Sequence, residues 1–307
     1  MTVLITGSSG LIGTALVQEL TAHGHDVVRL VRDGSSPSGG TGTSTVDWDP
    51  ARGSIDLAAL EAGGPYDGVV HLAGAGVGDK RWNVARKEVI LASRTTSTEL
   101  LVTSLLQLSP RPPVLVSASA IGYYGDRGDE ELTEESSKGP GFLADVADAW
   151  ERATGPAGDA GIRVVHLRTG LVLAPKGGVL GKQLPLFRIG AGGRLGPGTQ
   201  FMSWITLADE VAVILRALTD GRYEGALNAV APTPVTNAEF TVSLAGALHR
   251  PSFAHVPAAA LRLALGTEMA DETALVSQRV LPTVLAANGF EFGSATLDEA
   301  WDVVLGH

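Results

Sequence analysis

The chain begins with two apolar runs on either side of a helical stripe. Residues 3–6 form a short run with β-branched side chains, and residues 27–31 form a second run. Between them, apolar side chains recur at helical spacing over residues 11–20. Short apolar runs are typical of buried strands, and a 3.6-residue repeat is typical of an amphipathic helix. The order therefore predicts strand, helix and strand in about 30 residues, the size of a βαβ unit.

The same alternation continues over most of the chain. Helical patterns separate the further apolar runs, and strands separated by helices indicate a parallel sheet with helices on both faces. We therefore predict an α/β fold, a doubly wound (Rossmann) parallel sheet. The further predicted strands lie at 45–48, 68–74, 114–117, 163–167 and 227–230, and the further predicted helices lie at 57–60, 82–108, 142–150 and 209–218.

The pattern changes after Gly170, and this change predicts a second domain. Residues 176–200 are rich in glycine and proline, and the chain is mostly helical from residue 236 onward. We interpret these parts as a smaller, mostly helical C-terminal cap domain over the carboxyl edge of the sheet. The predicted boundaries are 1–170 with a return segment at 204–232 for the dinucleotide-binding domain, and 171–203 with 233–307 for the substrate or cap domain.

Three glycines follow the first apolar run at a spacing that suits a phosphate. Gly7 permits a tight turn out of the strand, Gly10 lets a pyrophosphate approach the backbone, and Gly13 allows close helix packing. The phosphate would sit on the helix N-terminus. This strand–turn–helix context favours dinucleotide binding over the alternative, an ordinary glycine-rich turn. The predicted cofactor-binding residues at this turn are Gly7, Ser9, Gly10, Leu11, Ile12 and Gly13.

Further cofactor contacts are expected where later strands end, because doubly wound sheets bind ligands at their carboxyl edge. We predict such contacts from Leu72, Ala73, Gly74 and Ser117. His71 ends a buried run, and we interpret it as a packed core residue rather than a catalyst. The acidic residues 126–135 are most simply a solvated loop.

The end of the second predicted strand indicates which dinucleotide binds. NAD-type sites place an acid there to bond the ribose 2′-hydroxyl. Val31 occupies that place here, and Arg32 follows it. A guanidinium matches a 2′-phosphate in charge and in fork geometry, so we predict NADP(H) as the cofactor. The alternative is that Asp33 faces the ribose and Arg32 is a solvated surface charge.

Composition narrows the functional classes. The formal net charge of −10 argues against nucleic acid or an anionic membrane as the main partner, so we expect a small-molecule substrate. The chain has no cysteine, which excludes disulfides and cysteine nucleophiles and suits a reducing cytoplasm. The sequence shows no secretion leader, no apolar run of membrane-spanning length and no metal-ligand spacing. We expect a cytoplasmic protein without a metal site, either a monomer or a homodimer.

Several motifs resemble the extended short-chain dehydrogenase/reductases, the family of sugar-nucleotide epimerases and dehydratases. The resemblance rests on the glycine turn, on residues 71–74 and on residues 117–120. An atypical branch, the NAD-dependent epimerase/dehydratase-like "epimerase family proteins", is similar in further segments and in its C-terminal domain of unknown function. The resemblance implies the fold and no specific substrate. The segments similar to that branch are 119–125, 142–151, 168–170, 203–205 and parts of 256–290.

The chain departs from the well-understood enzymes of that family at their catalytic pair. Those enzymes use a Tyr and a Lys four residues later, and the ammonium lowers the pKa of the tyrosine that exchanges a proton with the substrate. By spacing from Ser119, this pair falls near Leu143 and Ala147. We predict that Ser119 with Tyr123 or Tyr124 is catalytic instead; alternatively, these three side chains only cap and pack. A phenol without a neighbouring cation would act as an acid, which favours reduction over oxidation.

A second departure concerns the substrate. Epimerases of the family carry an Arg that clamps the diphosphate of a sugar nucleotide, and alignment on Trp204 places Met202 there. A thioether cannot pair with a phosphate, so a sugar nucleotide is not expected unless Arg188 or Arg194 takes over. We predict Trp204 and Arg194 as substrate contacts. Two functions stay open: an NADP(H)-dependent oxidoreductase or epimerase acting on a small carbonyl or alcohol, and a catalytically silent NADP(H)-binding sensor or partner-binding protein.

The proposed role of Arg32 can be tested by calorimetry with both cofactors. Arg32→Ala should weaken NADPH binding roughly ten- to a hundredfold, because a charge-assisted bidentate contact contributes about 1.5–3 kcal/mol. NADH binding should be nearly unchanged, since NADH has no 2′-phosphate. Equal affinity of the wild-type protein for NADH and NADPH would contradict the prediction.

Overall fold

The computed structural model describes residues 1–32 and 42–306, so Asp33, the alternative ribose contact, lies outside the described residues. A 3₁₀ turn at Ile121–Tyr124 and a π-helical turn at Ala270–Ala274 supplement the regular elements. The strands are β1 (Thr2–Thr6), β2 (Asp26–Val31), β3 (Thr43–Asp49), β4 (Ser54–Ile55), β5 (Gly68–His71), β6 (Val114–Ala120), β7 (Glu131–Leu132), β8 (Arg163–Thr169), β9 (Leu171–Leu173), β10 (Gly193–Leu195), β11 (Phe201–Met202), β12 (Trp204–Thr206), β13 (Gly225–Ala229), β14 (Val235–Thr236), β15 (Ala254–Val256) and β16 (Arg279–Val280). The helices are α1 (Leu11–Ala22), α2 (Leu57–Ala62), α3 (Val84–Leu105), α4 (Phe142–Arg152), α5 (Gly155–Asp159), α6 (Gly178–Arg188), α7 (Leu207–Thr219), α8 (Asn237–Ala247), α9 (Ala258–Leu265), α10 (Thr267–Met269), α11 (Thr283–Ala287) and α12 (Leu297–Leu305).

Eight strands form one sheet in the order β13-β8-β6-β5-β1-β2-β3-β4. All neighbouring strands are parallel except β3 and β4. From β1 the chain adds β2 and β3 in one direction and β5, β6 and β8 in the other. This reversal opens a crevice at the carboxyl ends of β1 and β5, where doubly wound folds bind ligands. The predicted doubly wound parallel sheet is confirmed.

Helices cover both faces of the sheet, because successive side chains of a strand point to opposite faces. Val3 and Ile5 of β1 pack in the apolar layer formed with α1 and α7. Leu4, between them, packs in the opposite layer formed with α2 and α3. All three side chains are fully buried. Strands buried on both faces have continuous apolar sequences, which is why apolar runs predict them well.

The C-terminal part is mostly helical, as predicted, and small strand pairs join it to the sheet domain. β12 lies in the predicted return segment, but it pairs with β9 outside the eight-stranded sheet. β13 alone rejoins that sheet, beside β8. Among the described residues, no helix has the length and apolar content to cross a membrane.

Residues 176–200 are more regular than their glycine and proline content indicates. Helix α6 forms there, although Pro185 lies inside it. Leu180, Leu184 and Phe187 are buried on one side of this helix, in the core of the cap. Their spacing of four and three residues is a helical signal, which the surrounding glycines obscure.

Residues 126–135 are for the most part exposed, as predicted for a solvated loop, but Leu132 and Glu134 also join this segment to the C-terminal part of the chain. Strand β7 pairs with β16 from the C-terminal part, and Leu132 is fully buried. Glu134 accepts hydrogen bonds from the backbone N–H groups of Asn228 and Val284, at 3.1 and 3.3 Å. These partners lie 94 and 150 residues further along the chain, beyond the reach of a local pattern.

Asp209, in the first turn of α7, binds the loop that precedes α12. Its buried carboxylate accepts hydrogen bonds from the backbone N–H groups of Gly293 and Ser294, at 2.7 and 3.1 Å. Asp209→Ala leaves both N–H groups unpaired, so we expect the free energy of unfolding in urea to fall by about 2–4 kcal/mol. Glu61→Ala on the exposed side of α2 is the control and should change it by less than about 0.5 kcal/mol. Equal losses in the two variants would contradict this role of Asp209.

Candidate functional site

The glycine turn at the carboxyl end of β1 has the geometry that a dinucleotide phosphate requires. Gly7 has a φ of +68°, which favours glycine, and a Cβ on it would lie 2.6 Å from the Leu72 carbonyl carbon. A Cβ on Gly13 would lie 2.2 Å from the Gly7 carbonyl oxygen, so α1 packs directly against the turn. Gly10 is the N-cap of α1 and has no side chain to occupy the helix start. The residues present therefore fit a pyrophosphate on the N-terminus of α1.

Two buried side chains support this turn. Arg29, which the sequence analysis does not single out, donates from Nε to Ser8 Oγ at 2.9 Å, and burial lowers the pKa of Arg29. The position of Arg29 inside the apolar run 27–31 is the sequence signal that could have pointed to this supporting role. Thr6 Oγ1 accepts hydrogen bonds from the backbone N–H groups of Leu72 and Ala73, at 3.1 and 3.2 Å. The structure therefore brings the predicted contacts after β5 next to the glycine turn.

The remaining predictions at this edge have different outcomes. Arg32 and Gly74 are exposed, which a cofactor contact requires. Ser117 is fully buried in β6, in register with His71, and its role as a cofactor contact stays a prediction. His71 is fully buried and bonded to Thr6 Oγ1 at 2.7 Å. Burial lowers the pKa of His71 to about 3, so the ring is neutral and its prediction as a core residue is confirmed.

Ser119 belongs to a cluster that joins four elements at the carboxyl edge. Its Oγ donates to Glu151 Oε1 of α4 at 2.7 Å. Arg168 of β8 binds the same carboxylate with two N–H groups, at 2.8 and 2.9 Å. The guanidinium carbon of Arg168 lies 3.6 Å from the ring centroid of Tyr123. Burial alone would lower the pKa of Arg168, but its hydrogen bonds and charge interactions with Glu151 and Tyr124 together outweigh burial and raise the pKa. We call Ser119, Tyr123, Glu151 and Arg168 the Ser119 cluster.

Sequence patterns indicate only half of this cluster. Ser119 and Tyr123 stand out in the sequence, whereas Glu151 and Arg168 lie in segments that are notable only for their resemblance to the family. The expectation that the tyrosine has no neighbouring cation is wrong, because Arg168 stacks on its ring. A charged residue inside the apolar strand β8 is the signal that could have drawn attention to Arg168.

Two predicted site residues lie in the core instead. Tyr124 is fully buried; its hydroxyl donates to Asn228 Oδ1 at 2.7 Å and accepts from Arg168 Nη1 at 3.0 Å. Burial raises the pKa of Tyr124. Trp204 is also fully buried, and its Nε1 donates to the Thr233 carbonyl oxygen at 3.0 Å. The structure thus places both rings in the core, and the catalytic role of Tyr124 and the substrate contact of Trp204 stay predictions.

Helix α4 has apolar residues at the places of the family's catalytic pair. Ala147 is buried, and Leu143 packs against the 3₁₀ turn, where a Cβ on Gly122 would lie 3.3 Å from the Leu143 Cβ. Arg194, the other predicted substrate contact, lies exposed on β10, which pairs with β15 in the cap. Within residues 1–32 and 42–306, no three His, Asp or Glu side chains are grouped as a metal site would require.

The fold and the glycine turn define a dinucleotide-binding protein of the short-chain dehydrogenase/reductase class. The chain belongs to the NAD dependent epimerase/dehydratase family, whose model matches residues 3–229. A domain of unknown function, DUF1731, matches residues 256–302. The resemblance found in the sequence is thereby confirmed.

Relatives match the chain over its whole length. The epimerase family protein Mb2239 of Mycobacterium bovis is 43% identical over 97% of this chain and 95% of its own. The human epimerase family protein SDR39U1, crystallised with NADPH, is 32% identical, with a TM-score of 0.88 over 100% of both chains. A Corynebacterium glutamicum protein named nucleoside-diphosphate sugar epimerase is 37% identical, with a TM-score of 0.79 over 100% of this chain and 58% of that one.

A second buried carboxyl group lies at the carboxyl end of β8. Glu210 of α7 is fully buried and accepts a hydrogen bond from Thr169 Oγ1 at 2.8 Å. Its Oε2 has no protein partner in the described part of the chain. Burial raises the pKa of Glu210 to about 8 and outweighs the opposite effect of the Thr169 hydrogen bond. The folded protein therefore keeps this group protonated at neutral pH.

Glu210→Gln should make stability less dependent on pH. The ordinary glutamate pKa of 4.5 lies below the folded value of about 8. Between these values the unfolded state has lost a proton that the folded state keeps. The free energy of unfolding therefore falls by about 1.4 kcal/mol per pH unit as the pH rises through this window, and the glutamine variant should lack this slope. Urea titrations at several pH values measure it.

Glu239→Gln is the control for this experiment. Hydrogen bonds from Thr236 lower the pKa of Glu239, so its contribution to stability is lost as the pH falls, at the other end of the pH range. Identical pH slopes in the wild type and in Glu210→Gln would contradict a buried, protonated Glu210.

Proposed function

We propose that the chain is an NADP(H)-dependent oxidoreductase or epimerase of the extended short-chain dehydrogenase/reductase type that acts on a small carbonyl or alcohol compound. Reduction is the direction to be tested first, although the contact of Arg168 with the Tyr123 ring removes the original reason for it, a phenol without a neighbouring cation. The observation that carries the proposal is the Ser119 cluster, which places a serine, a tyrosine and a guanidinium at the carboxyl edge of β6 and β8. In a doubly wound fold the two halves of a dinucleotide lie on opposite sides of the reversal point, so these strands would carry the nicotinamide half.

NADPH is the proposed cofactor. The glycine turn fits its pyrophosphate, and Arg32 is exposed at the end of β2, where the 2′-phosphate would lie. The human relative was crystallised with NADPH, which supports the same cofactor here. When bound, NADPH supplies the hydride, and the protein binds and orients the reactants.

Tyr123 is the proposed proton donor. It is partly exposed, in contrast to the fully buried Tyr124. A phenol that gives its proton to the substrate oxygen becomes a phenolate, and a cation on its ring stabilises that charge. Arg168, 3.6 Å from the ring centroid, is positioned to do this. In this proposal Arg168 takes the place of the lysine that is absent from α4.

Ser119 is proposed to hold the oxygen of the product alcohol. A hydroxyl group has one hydrogen, and Ser119 donates its own to Glu151 at 2.7 Å. Its oxygen can therefore accept a hydrogen bond from an alcohol but cannot at the same time donate one to a carbonyl. The alcohol formed by reduction would donate to Ser119, while Glu151 keeps its contacts with Arg168.

The substrate is proposed to be a small molecule other than a sugar nucleotide. Met202 stands where epimerases carry the Arg that clamps a diphosphate, and its Sδ accepts a hydrogen bond from Asn237 Nδ2 at 3.3 Å. This contact offers no charge to a phosphate. The name of the Corynebacterium relative makes sugar nucleotides the competing substrate class.

A cytoplasmic location is also proposed, on the composition alone. The Arabidopsis thaliana relative, which is 38% identical over 95% of this chain and 83% of its own, is named chloroplastic. That relative is thus named for another compartment, and fractionation of the source cells would test the location of this protein.

A silent NADP(H)-binding sensor or partner-binding protein is the second candidate function. Leu143 and Ala147 stand at the places of the catalytic Tyr and Lys, which favours this reading. Both candidates require NADPH binding, and only the first requires turnover.

Tyr123→Phe removes the proposed proton donor and should lower kcat for carbonyl reduction about 10²–10⁴-fold. NADPH affinity should stay unchanged, because the phenol is assigned to the substrate side. The measurement is NADPH consumption with a panel of small aldehydes and ketones. UDP-glucose, which has no free carbonyl group to reduce, is incubated with NADP⁺ and its products are analysed. Ser119→Ala should also lower the rate.

Tyr66→Phe is the matched control for this series. Tyr66 is buried outside the Ser119 cluster, and its hydroxyl donates to the Leu60 carbonyl oxygen. Loss of this hydroxyl should therefore affect stability rather than rate. If a carbonyl compound is reduced and Tyr123→Phe and Ser119→Ala keep the wild-type rate, the site assignment is wrong. Tight NADPH binding without any turnover would favour the sensor, and turnover of UDP-glucose would overturn the substrate class.

A further inference from the structure

A segment of the C-terminal domain runs along the turn that carries Tyr123. We call residues 277–280 the C-terminal strap and residues 121–125 the aromatic turn. The strap ends in β16, which pairs with β7, and it lies inside the match to the domain of unknown function. A domain without an assigned role therefore contacts an element of the proposed site directly.

Gln278 is the residue of the strap that holds the aromatic turn. Its Nε2 donates to the carbonyl oxygens of Ile121 and Gly125, at 3.0 and 3.1 Å, which are the two ends of the turn. The side chain is only 7% exposed. Its backbone is fixed in turn, since its N–H donates to the Phe201 carbonyl oxygen at 3.2 Å and its carbonyl oxygen accepts from Ser203 Oγ at 2.8 Å.

Contacts from outside the aromatic turn add to the few hydrogen bonds that the turn makes within its own backbone. Two of its residues are Gly122 and Gly125, and Gly125 has a φ of +63°. Glycine loses more conformational freedom on folding than other residues, so this turn is costly to order. Within the turn, the Gly125 N–H donates to the Gly122 carbonyl oxygen at 3.1 Å. From outside the turn, the Gly139 N–H donates to the Tyr123 carbonyl oxygen at 3.0 Å, and the carboxamide of Gln278 adds two hydrogen bonds at the ends of the turn.

The same domain also fixes the helix on the other side of the Ser119 cluster. Glu272, in the π-helical turn, accepts hydrogen bonds from the backbone N–H groups of Phe142 and Leu143, at 2.9 and 2.7 Å. The N-cap of α4 is Gly141, which has no side chain to make these bonds. Because α4 carries Glu151 and the aromatic turn carries Tyr123, the C-terminal domain contacts two of the four elements that meet at the Ser119 cluster.

We propose that Gln278 is a positioning residue that keeps the Tyr123 phenol aligned with the substrate, and that this alignment is a role of the C-terminal domain. The inference rests on the proposed function, in which Tyr123 gives the proton. Without Gln278 the carbonyl oxygens of Ile121 and Gly125 lose their donor, and the turn can move relative to Arg168. A displacement of about 1 Å at a reacting group can lower a rate about 10²-fold.

The test is Gln278→Met, which keeps the volume of the side chain and removes both hydrogen bonds. We expect kcat for carbonyl reduction to fall about 10–100-fold with little change in KM. In a Tyr123→Phe background the same substitution should have no further effect on kcat, because Gln278 acts through the phenol. Amide hydrogen exchange of a peptide covering the aromatic turn should become faster in Gln278→Met.

Gln200→Met is the matched control. Gln200 is equally buried, at 5% exposed, and its Nε2 also donates to two carbonyl oxygens, those of Leu195 and Ala274, at 3.0 and 3.1 Å. It contacts the C-terminal domain beside the strap but not the aromatic turn. Gln200→Met should therefore keep kcat and leave hydrogen exchange in the aromatic turn at the wild-type rate. Its loss of stability should be smaller than that of Gln278→Met, because Gln200 Oε1 is buried without a partner among the described residues.

The outcomes separate this inference from the proposed function. Equal falls in kcat for both glutamine variants, or a full further effect of Gln278→Met in the Tyr123→Phe background, would overturn the positioning role. Unchanged exchange of the aromatic turn in Gln278→Met would also overturn it, whether or not a substrate is found. If exchange rises but the wild type turns over no compound, Gln278 holds the turn as proposed, and the proposed catalytic function fails instead.

Discussion

The buried pair of Arg168 and Glu151 is the contact on which the arrangement of the site depends. Removing two charges from water is costly, and such a pair is stable only with good geometry and further hydrogen bonds. Here the carboxylate also accepts from Ser119, and the guanidinium donates to the hydroxyl of Tyr124 and stacks on Tyr123. Loss of one partner would leave an uncompensated buried charge, at a cost of about 3–5 kcal/mol. The orientations of the serine and of both tyrosines therefore follow from this pair.

The C-terminal domain completes the polar network around this pair rather than only covering it. The side-chain oxygen of Asn228 on β13 accepts a hydrogen bond from the Tyr124 hydroxyl, and its Nδ2 donates to the Leu281 carbonyl oxygen at 2.9 Å. The backbone N–H of Asn228 donates to the Glu134 carboxylate. The sheet domain and the C-terminal domain thus share one set of buried hydrogen bonds. The chain keeps the glycine turn of its family and has Leu143 and Ala147 at the places of the helical Tyr and Lys. In the proposed function, Arg168 supplies the cation instead, and a guanidinium cannot be deprotonated.

The sequence alone determines the sheet and the phosphate-binding turn, because both depend on contacts close along the chain. Strands buried on both faces require continuous apolar runs, and the helices between them require the 3.6-residue repeat. Gly7, Gly10 and Gly13 are needed for reasons of backbone conformation and close approach within one turn. These requirements can be read locally, and the predicted strand–turn–helix unit and parallel sheet follow from them.

Only the tertiary structure decides which polar groups meet at the site. Arg168 pairs with Glu151 across 17 residues, and Gln278 reaches Ile121 across 157 residues. Apolar periodicity places elements in layers, but it does not specify which polar side chain faces which neighbour. For the same reason Tyr124 could be taken for a site residue, since an aromatic residue near a strand end has the same sequence signature whether its ring points to the cleft or to the core. Its burial is set by Asn228, 104 residues away, and by the packing of the C-terminal domain.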